Sequence, residues 1–442
     1  MKEMMKFFTI SVLVILFSCS NQNAILLEPK GQVSQVEESA ERVVTTLKET
    51  DFFKEPTSFV VSKNFKSDYP VDNSFSTNDS DVLQKAIDDI SSQGGGKLYI
   101  PKGNYSFSEV SLKSNVHLRI DSKAVFRPAE IPDKRNKNYT MFKVVNEKSK
   151  TPVQNVSICG VNGKFTVDLR YTKTEFLNVR IIQSFNVTNF KYTNLIVRDK
   201  FSKFSVLTFN GIKIGNRVYG PNKGLIKNIE LYGSDYGYGV VQLQLAKKLL
   251  FKNLYGEGGA TLRIETHNKV LRELGTYDLV DEIYGRNIRS ENGNCALMLS
   301  PHFIDQGKVD VRNIKSIGSG FAVRINKGFA NPEEAALGLK AGSFSDESVV
   351  KNVSATYSKT KAQIKPKHYK YMPCNLRQFI QKDPITLFPH GDSYNGPSIA
   401  AVLYNPNYKV NITDKDVSIE GFQKGLEIVT DDDMKTDNEC GL

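Results

Sequence analysis

Four short segments between residues 240 and 330 combine side chains that could do acid–base chemistry. Each begins with alternating apolar and polar residues, the pattern of a β-strand whose successive side chains point to opposite sides. Aligned with one another, they are VQLQL (241–245), LRIETH (262–267), LMLSPH (297–302) and VRINK (323–327). One set of side chains would fill a core, and the other set would form one continuous outward patch.

This outward patch would combine amides, a carboxylate, two imidazoles and two guanidiniums. Its members are Gln242, Gln244, Arg263, Glu265, His267, Met298, Ser300, His302, Arg324 and Asn326. The chain holds five histidines, and two of them fall in the patch. A merely solvated sheet face would favour Lys, Glu and Thr, so this composition indicates a functional site.

Glu265 and His267 have the spacing of an acid and a base that act on one glycosidic bond. Residues i and i+2 of a strand point the same way and lie about 6.6–7 Å apart at Cα. Hydrolysis with inversion needs two groups roughly 6.5–9.5 Å apart. Glu265 would protonate the leaving oxygen, and a neutral His267 would accept the proton of the attacking water. A cationic His267 would instead contact an anionic substrate group, and both interpretations stay open.

The arginines of the patch favour an anionic ligand. Arg263 and Arg324 present planar guanidinium donors that suit the oxygens of sulfate. Structural interpretations remain beside the functional ones: Glu265 could simply pair with Arg263, and the glutamines of VQLQL could form an amide ladder. Likewise, His302 could only line a groove, and Arg324 could be a solvated side chain.

A capping helix is the first of the elements that must position this patch. Residues 79–90 (DSDVLQKAIDDI) place apolar residues at 82, 83, 86, 87 and 90, which predicts a helix capped by Asp79 or Ser80. The run GGG (94–96) would end it, and LYIPKGNY (98–105) then predicts a strand and a turn. A helix at this point would cover the open end of a solenoid's first coil.

A short phrase, Asn followed by an apolar residue, recurs through the rest of the chain. It occurs at 155, 189, 228, 253, 287, 313 and 352, with spacings of 34, 39, 25, 34, 26 and 39. Such a drifting period is typical of a solenoid whose coils share strands and differ in their loops. We therefore predict an all-β protein, a right-handed parallel β-helix with an N-terminal capping helix and a small inserted segment. The alternative is an antiparallel β-sandwich.

The β-helix is expected to span residues 61–429, after a polar tether at 19–60. Two stretches interrupt the coils: an inserted segment at 328–348, whose proline suits the first turn of a helix, and a long excursion at 357–400 rich in Lys, Tyr and Pro. The acidic tail at 430–442 is expected to fray.

The N-terminus has the features of an export signal. Lys2 and Lys6 precede the apolar run FFTISVLVILF within residues 1–18, which is too short for a membrane span. The sequence LFSC (16–19) is similar to a bacterial lipobox, so Cys19 would be lipidated; a chance cysteine after an ordinary signal peptide is the alternative. We expect an exported outer membrane lipoprotein, periplasmic or on the cell surface, whose only membrane contact is its lipid anchor.

The charge of the chain favours a polyanionic partner. It has 59 Lys and Arg against 48 Asp and Glu, a formal net charge of +11. An exported chain rarely meets nucleic acid, so an acidic glycan is the expected partner. We expect a monomer with no required cofactor.

The cysteines after Cys19 match no metal-ligand spacing. Cys159, Cys295, Cys374 and Cys440 are far apart, so we predict no metal site. The compartment permits a disulfide, but we expect isolated buried thiols.

The segment GGATLRIETHN (258–268), with Gln242 upstream and SPH (300–302) downstream, resembles the active-site strands of glycoside hydrolase family 82, the iota-carrageenases. The similarity runs from the capping helix to about residue 425, and its specific part covers about 240–335. It implies an endo-acting hydrolase on a right-handed β-helix that cleaves β-1,4 linkages of iota-carrageenan, or of a related sulfated galactan, with inversion.

The resemblance also implies roles for single residues. The family has an E-x-D pair of acid and base; Glu265 falls on the acid, whereas His267 occupies the base position and departs from the pattern. Gln242 matches a glutamine that helps to hold a chloride ion near the catalytic water, and His302 matches a histidine implicated in substrate handling. A family glutamate near the inserted segment corresponds to Glu333 or its neighbour at 334.

We therefore predict a glycoside hydrolase with Glu265 and His267 as catalytic residues. The expected substrate contacts are Gln242, Gln244, Arg263, His302, Arg324 and Glu333. A chloride ion near Gln242 is an expected ligand, and a structural calcium or sodium ion stays open. Two alternatives remain: a β-helix polysaccharide lyase, and a surface protein that binds sulfated glycan without cutting it.

Overall fold

The computed structural model describes residues 46–130, 138–172, 178–267, 269–272, 276–277, 280–386, 392–405 and 409–440. From Leu47 onward the described residues form one compact unit. The predicted signal peptide, Cys19 and most of the tether lie outside the described residues and stay predictions. Within the described ranges, no helix is long and apolar enough to cross a membrane.

The described chain is built mainly of short strands. In chain order they are β1 (Val61–Asn64), β2 (Gly96–Ile100), β3 (Gly103–Phe107), β4 (Val110–Ser111), β5 (Val116–Asp121), β6 (Ala124–Pro128), β7 (Tyr139–Val144), β8 (Val153–Val161), β9 (Phe165–Asp168), β10 (Val179–Ser184), β11 (Val187–Arg198), β12 (Leu207–Phe209), β13 (Ile212–Ile214), β14 (Arg217–Tyr219), β15 (Asn222–Ser234), β16 (Val241–Leu243), β17 (Lys247–Gly258), β18 (Ala260–Glu265), β19 (Thr276–Tyr277), β20 (Asp281–Glu291), β21 (Cys295–Ser300), β22 (Val309–Ile317), β23 (Val323–Ile325), β24 (Val349–Thr356), β25 (Ala362–Ile364), β26 (Pro384–Thr386), β27 (Ser393–Gly396), β28 (Val402–Tyr404), β29 (Val417–Glu420) and β30 (Ile428–Val429).

The helices are few and short. They are α1 (Phe65–Asp68), α2 (Ser80–Ser92), α3 (Lys269–Arg272), α4 (Pro332–Ala336) and α5 (Cys374–Arg377), with 3-10 turns at Glu49–Asp51, Pro366–Tyr371, Asp414–Asp416 and Asp431–Asp433.

Two parallel sheets form the walls of the molecule. The long sheet runs β1-β2-β5-β8-β11-β15-β17-β20-β22-β24-β29, and the site sheet runs β4-β7-β10-β12-β16-β18-β21-β23-β28-β30. Because successive coils alternate between the sheets and pair in parallel, the protein is a right-handed parallel β-helix, as predicted. The sandwich alternative is wrong, since its sheets would be antiparallel.

The predicted register of the four site segments is confirmed. Val241 pairs with Leu262, Leu262 with Leu297, and Leu297 with Val323. The side chains that were expected to point inward are fully buried, and they line one continuous apolar core: Val241, Leu243, Leu262, Ile264, Leu297, Leu299, Val323 and Ile325.

The recurring asparagines form two ladders, not one. Asn155 and Asn189 continue from Asn115, whereas Asn228 donates to Asn194, which starts a second run that ends at Asn352. The spacing of 39 between 189 and 228 therefore crosses from one ladder to the other. All these asparagines have φ between 53° and 63°, a left-handed conformation that Asn tolerates better than most residues. The repeat thus marks the bend of each coil.

The capping helix is confirmed, but its N-terminus differs from the prediction. In α2, Leu83, Ala86, Ile87 and Ile90 are buried against the first coil. Asp79 makes no side-chain cap; its carboxylate accepts the backbone N–H of Ser106 at 3.0 Å instead. It thereby ties the start of the helix to β3. Positive φ at Gly94 and Gly95 ends the helix as expected.

The end of the predicted tether is part of the fold. Phe52 and Phe53 are buried beside Leu225 and Leu250 on the outside of the long sheet. Glu49 accepts from both Lys227 and Lys252, each at 2.9 Å. Two aromatic rings on the surface of the sheet drive this contact, so the tether prediction is wrong for these residues.

The excursion and the acidic tail are fastened to each other. Cys374 and Cys440 form a disulfide, Tyr371 donates to Asp431 at 2.7 Å, and Arg377 pairs with Asp437 at 2.8 Å. The predictions of isolated thiols and of a frayed tail are therefore wrong at these positions, because the excursion folds back to meet the tail. Cys159 and Cys295 are free and buried, as expected.

Candidate active site

The outward patch exists as one surface on the site sheet. Gln242 lies beside Arg263, Arg263 beside Met298, and Met298 beside Arg324 on four neighbouring strands. Glu265 lies next to Ser300 in the adjoining row. Neighbouring parallel strands are about 4.8 Å apart, so the predicted functional side chains form a compact cluster.

Glu265 is almost completely buried between two partners. Its carboxylate forms an ion pair with the Arg263 guanidinium and lies 3.2 Å from His302 Nε2. Burial by itself would raise the pKa of Glu265, but Arg263 and His302 outweigh burial and lower that pKa to about 2. Glu265 is therefore a carboxylate in the free protein.

His267 and His302 stack on each other at the end of their strands. Their ring centroids are 4.6 Å apart and the rings are inclined by only 15°. His302 is buried and has a φ of 53°, in the left-handed region. Its Nε2 lies against Glu265, while its buried Nδ1 has no hydrogen-bond partner among the described residues.

His267 belongs to a second group of polar residues at the rim of the patch. Arg272 Nη2, on α3, lies 3.3 Å from His267 Nε2 and 2.8 Å from the Glu334 carboxylate. Glu334 lies 3.8 Å from the same imidazole nitrogen. Burial and the neighbouring His302 lower the pKa of His267 despite the two carboxylates nearby. A neutral His267 therefore accepts from Arg272 at Nε2 and carries its proton on Nδ1.

The structure distinguishes the two glutamates of the inserted segment. Glu333, predicted as a substrate contact, has a side chain that is 83% exposed and lies 3.4 Å from Arg272. Glu334 is fully buried and closes a capping box with Asn331 at the start of α4. The buried glutamate is therefore the one that approaches His267. The sequence could not show which of the two glutamates approaches His267, because their side chains differ only in the direction in which they leave a short helix.

The excursion brings charged side chains into the site that the strand pattern did not reveal. Its 3-10 turn places Lys367 and Lys370 along a groove of about 780 Å³ that also contains Glu265, His302 and Arg324. Burial and the cations Arg324 and Lys365 lower the pKa of Lys367 to about 8. Within the described part of the chain Lys367 has no ion-pair partner, so the groove offers uncompensated positive charge.

The remaining predicted contacts keep their places on the sheet. Arg324 is buried, donates to Asn294 at 3.1 Å and to Asn326 at 3.3 Å, and is not a solvated side chain. Gln242 and Gln244 are half-buried on β16 and just after it. The buried hydroxyl of Thr208, next to Gln242 in register, lacks a partner among the described atoms.

The arrangement combines a buried carboxylate, stacked imidazoles and guanidinium and ammonium groups in one groove. Such a site can bind an anionic chain and move protons at a bond held beside Glu265. No group of three or more His, Cys, Asp or Glu in the described ranges is placed to hold a metal ion.

Comparison of sequences identifies relatives over most of the chain. An iota-carrageenase of Zobellia galactanivorans is 32% identical over 425 residues, which cover 81% of this chain and 83% of that protein. An iota-carrageenase of Alteromonas macleodii is 33% identical over 286 residues, covering 64% and 56% of the two chains. No protein-family model matches the sequence.

Solved structures agree with the sequence relatives. The family 82 iota-carrageenase from A. fortis, determined without chloride ions, superposes with a TM-score of 0.78 and 27% identity over 88% of this chain and 94% of that one. An iota-carrageenase complexed to iota-carrageenan fragments superposes with a TM-score of 0.76 and 26% identity over 87% of this chain and 94% of that one.

The fold and the relatives define the protein as a β-helix glycoside hydrolase. Within that class, the chain belongs to the iota-carrageenase family.

Proposed function

We propose that this protein is an endo-acting hydrolase of iota-carrageenan or a closely related sulfated galactan, cleaving β-1,4 linkages with inversion. The observation that carries the proposal is that Glu265, Arg324 and Lys367 line the same groove. The carboxylate provides a group for proton transfer, and the cations suit the sulfates of the substrate. The carrageenan fragments bound to a structural relative support the choice of polymer.

Glu265 is proposed as the proton donor to the leaving glycosidic oxygen. A donor must be protonated, whereas Arg263 and His302 hold the free Glu265 as a carboxylate. A bound sulfate would compete for the Arg263 guanidinium and would add negative charge next to the carboxylate. Both changes raise the pKa of Glu265, so substrate binding itself prepares the acid.

His267 is proposed as the base that accepts the proton of the attacking water. The lowered pKa of His267 favours the neutral imidazole, but Arg272 lies against its Nε2 in the free protein. Because Arg272 already lies 2.8 Å from Glu334, the guanidinium has another partner when it leaves the imidazole. Glu334 would then stabilise the imidazolium that forms.

A chloride ion is proposed to bind next to Arg263. The unpartnered Thr208 hydroxyl, the Gln242 amide and the unpartnered Arg263 Nε occupy successive outward positions on three strands. All three groups can donate hydrogen bonds, which suits a chloride ion. Bound there, such an ion would help to orient the Gln242 amide and the Arg263 guanidinium.

The proposal is tested by incubating the protein with iota-, kappa- and lambda-carrageenan. We expect new reducing ends from iota-carrageenan without absorbance from an unsaturated sugar, and α-configured ends by NMR for inversion at a β-linkage. Glu265→Gln keeps size and hydrogen bonding but cannot give up a proton, so the rate should fall by about 10²–10⁴ while binding persists. New absorbance would indicate a lyase, and binding without cleavage by the unaltered protein would indicate a binding protein.

A further inference from the structure

We propose a second binding site for the sulfated polymer, in a groove along the bend of the long sheet. The groove has a volume of about 980 Å³ and lies on β15, β17, β20, β22, β24 and β29, not on the site sheet. The inference rests on the proposed substrate class and adds a surface that would hold the polymer outside the active site.

This groove, called the ladder groove below, has a regular floor. One edge is the asparagine ladder from Asn228 to Asn352. Beside the ladder runs one row of outward side chains, paired strand by strand: Glu230, Tyr255, Arg289, Lys315, Ser354 and Ser418. Six strands about 4.8 Å apart give a track of roughly 24 Å, long enough for several sugar units.

Two tyrosines provide an aromatic surface at one end of the track. The rings of Tyr232 and Tyr255 have centroids 5.3 Å apart, and both are half-buried. Tyr232 donates to Glu230 at 3.0 Å and Tyr255 to Glu291 at 3.1 Å, so the rings are held in place. Apolar ring faces with fixed orientation suit the C–H faces of galactose units.

The charges of the groove suit sulfate groups. Its lining holds Lys164, Arg289, Lys315 and Lys415 against Glu230 and Asp416. Both carboxylates are already neutralised, Glu230 by Lys164 and Asp416 by Lys351 at 2.9 Å, and Arg289 pairs with Glu291 at 3.1 Å. Lys315 and Lys415 are exposed and have no ion pair among the described residues. Excess positive charge is therefore displayed along the track, complementary to a polysulfated chain.

The experiment changes the charge of the groove and compares long with short substrates. Lys315→Glu and, separately, Lys415→Glu are made in the full chain, and Lys66→Glu, on the exposed face of α1, is the control with the same change in net charge. We expect KM for polymeric iota-carrageenan to rise about fivefold in each groove variant. Hydrolysis of a short iota-carrageenan oligosaccharide should be unchanged, because it occupies only the active site.

Several outcomes would overturn the proposal. An unchanged KM for the polymer, or an equal rise in Lys66→Glu, would show that the groove does not bind the polymer. If the unaltered protein sedimented as a dimer and the groove variants as monomers, the groove would bind a second copy of the chain instead of the polymer. Loss of oligosaccharide hydrolysis in the variants would place the effect in the active site. Failure of the unaltered protein to cut any carrageenan would contradict the proposed function instead. In that case the groove could still be tested by comparing polymer binding by Glu265→Gln with polymer binding by a variant that carries both Glu265→Gln and Lys315→Glu.

Discussion

At the scale of single residues, the site is an electrostatic arrangement around Glu265. One guanidinium and one imidazole hold a buried carboxylate ionised, and a second imidazole stacks on the first. Whether Glu265 can act as the proposed acid therefore depends on how far substrate binding raises its pKa. This dependence makes the pKa of Glu265 the quantity to perturb.

Arg263→Gln should move the pH dependence of turnover. Removing the guanidinium raises the pKa of Glu265, so the proton donor stays protonated to higher pH. We expect the decline of kcat on the alkaline side to shift upward by about one to three pH units, measured on iota-carrageenan under saturation. Arg324→Gln is the matched control, since Arg324 contacts Asn294 and Asn326 and not Glu265. An alkaline limb that does not move in Arg263→Gln would argue against Glu265 as the donor.

His267→Asp should hold or raise turnover at neutral pH. An aspartate there is ionised and can accept a proton, whereas the accepting nitrogen of His267 faces Arg272. His267→Asn has nearly the same shape but no basic group, so its kcat should be about 10²–10⁴ below that of the Asp variant. Equal turnover in the Asp and Asn variants would show that position 267 is not the base.

At the scale of the elements, the asparagine ladders maintain the bends that align one coil with the next. Asn287 has a φ of 60°, donates to Asn253 at 2.8 Å and accepts from Asn313 at 3.2 Å. The side chain thus serves both the local backbone conformation and the contact between coils. These two contributions can be separated by substitution.

Asn287→Gly should destabilise the protein less than Asn287→Ala. Both variants lose the ladder hydrogen bonds, worth about 1 kcal/mol each, but glycine adopts positive φ freely. Alanine also incurs the left-handed backbone penalty of about 1 kcal/mol. Urea unfolding monitored by circular dichroism would measure the difference. Identical unfolding midpoints for the two variants would contradict the role of the backbone conformation.

At the scale of the whole molecule, the formal charge of +11 favours long-range attraction to a polyanion. Ionic contacts at a surface are screened within about 10 Å at 0.1 M salt and about 3 Å at 1 M. Both proposed binding surfaces, the active-site groove and the ladder groove, expose cations. Their combined affinity should therefore depend strongly on salt.

Affinity for polymeric iota-carrageenan should fall steeply between 0.01 and 1 M NaCl, because screening weakens these contacts. Calorimetry with Glu265→Gln would measure it without cleavage of the polymer. A neutral galactan of the same backbone serves as the control and should show weak binding with little dependence on salt. Affinity for the sulfated polymer that is constant over this range would contradict the ionic account.

The amino-acid sequence by itself determined the strand register and the outward patch. Side-chain alternation is a local property, so the pattern in 241–245 and 262–267 already separated core from surface, and the structure confirms that separation. The asparagine repeat is a local pattern as well and indicated a solenoid, whereas the left-handed φ of these asparagines at the coil bends became apparent only in the structure. The sequence did not reveal the division into two ladders, because the loop lengths vary and decide which asparagines become neighbours across coils.

Only the tertiary structure decided which distant segments meet. The disulfide between Cys374 and Cys440, the approach of Glu334 instead of Glu333 to His267, and the position of Lys367 in the groove all depend on the paths of long excursions. The pKa values follow from the same contacts, since burial and neighbouring charge are properties of the assembled site. Local sequence patterns therefore placed the strand that carries the proposed acid, whereas long-range packing determined the electrostatic environment of that strand.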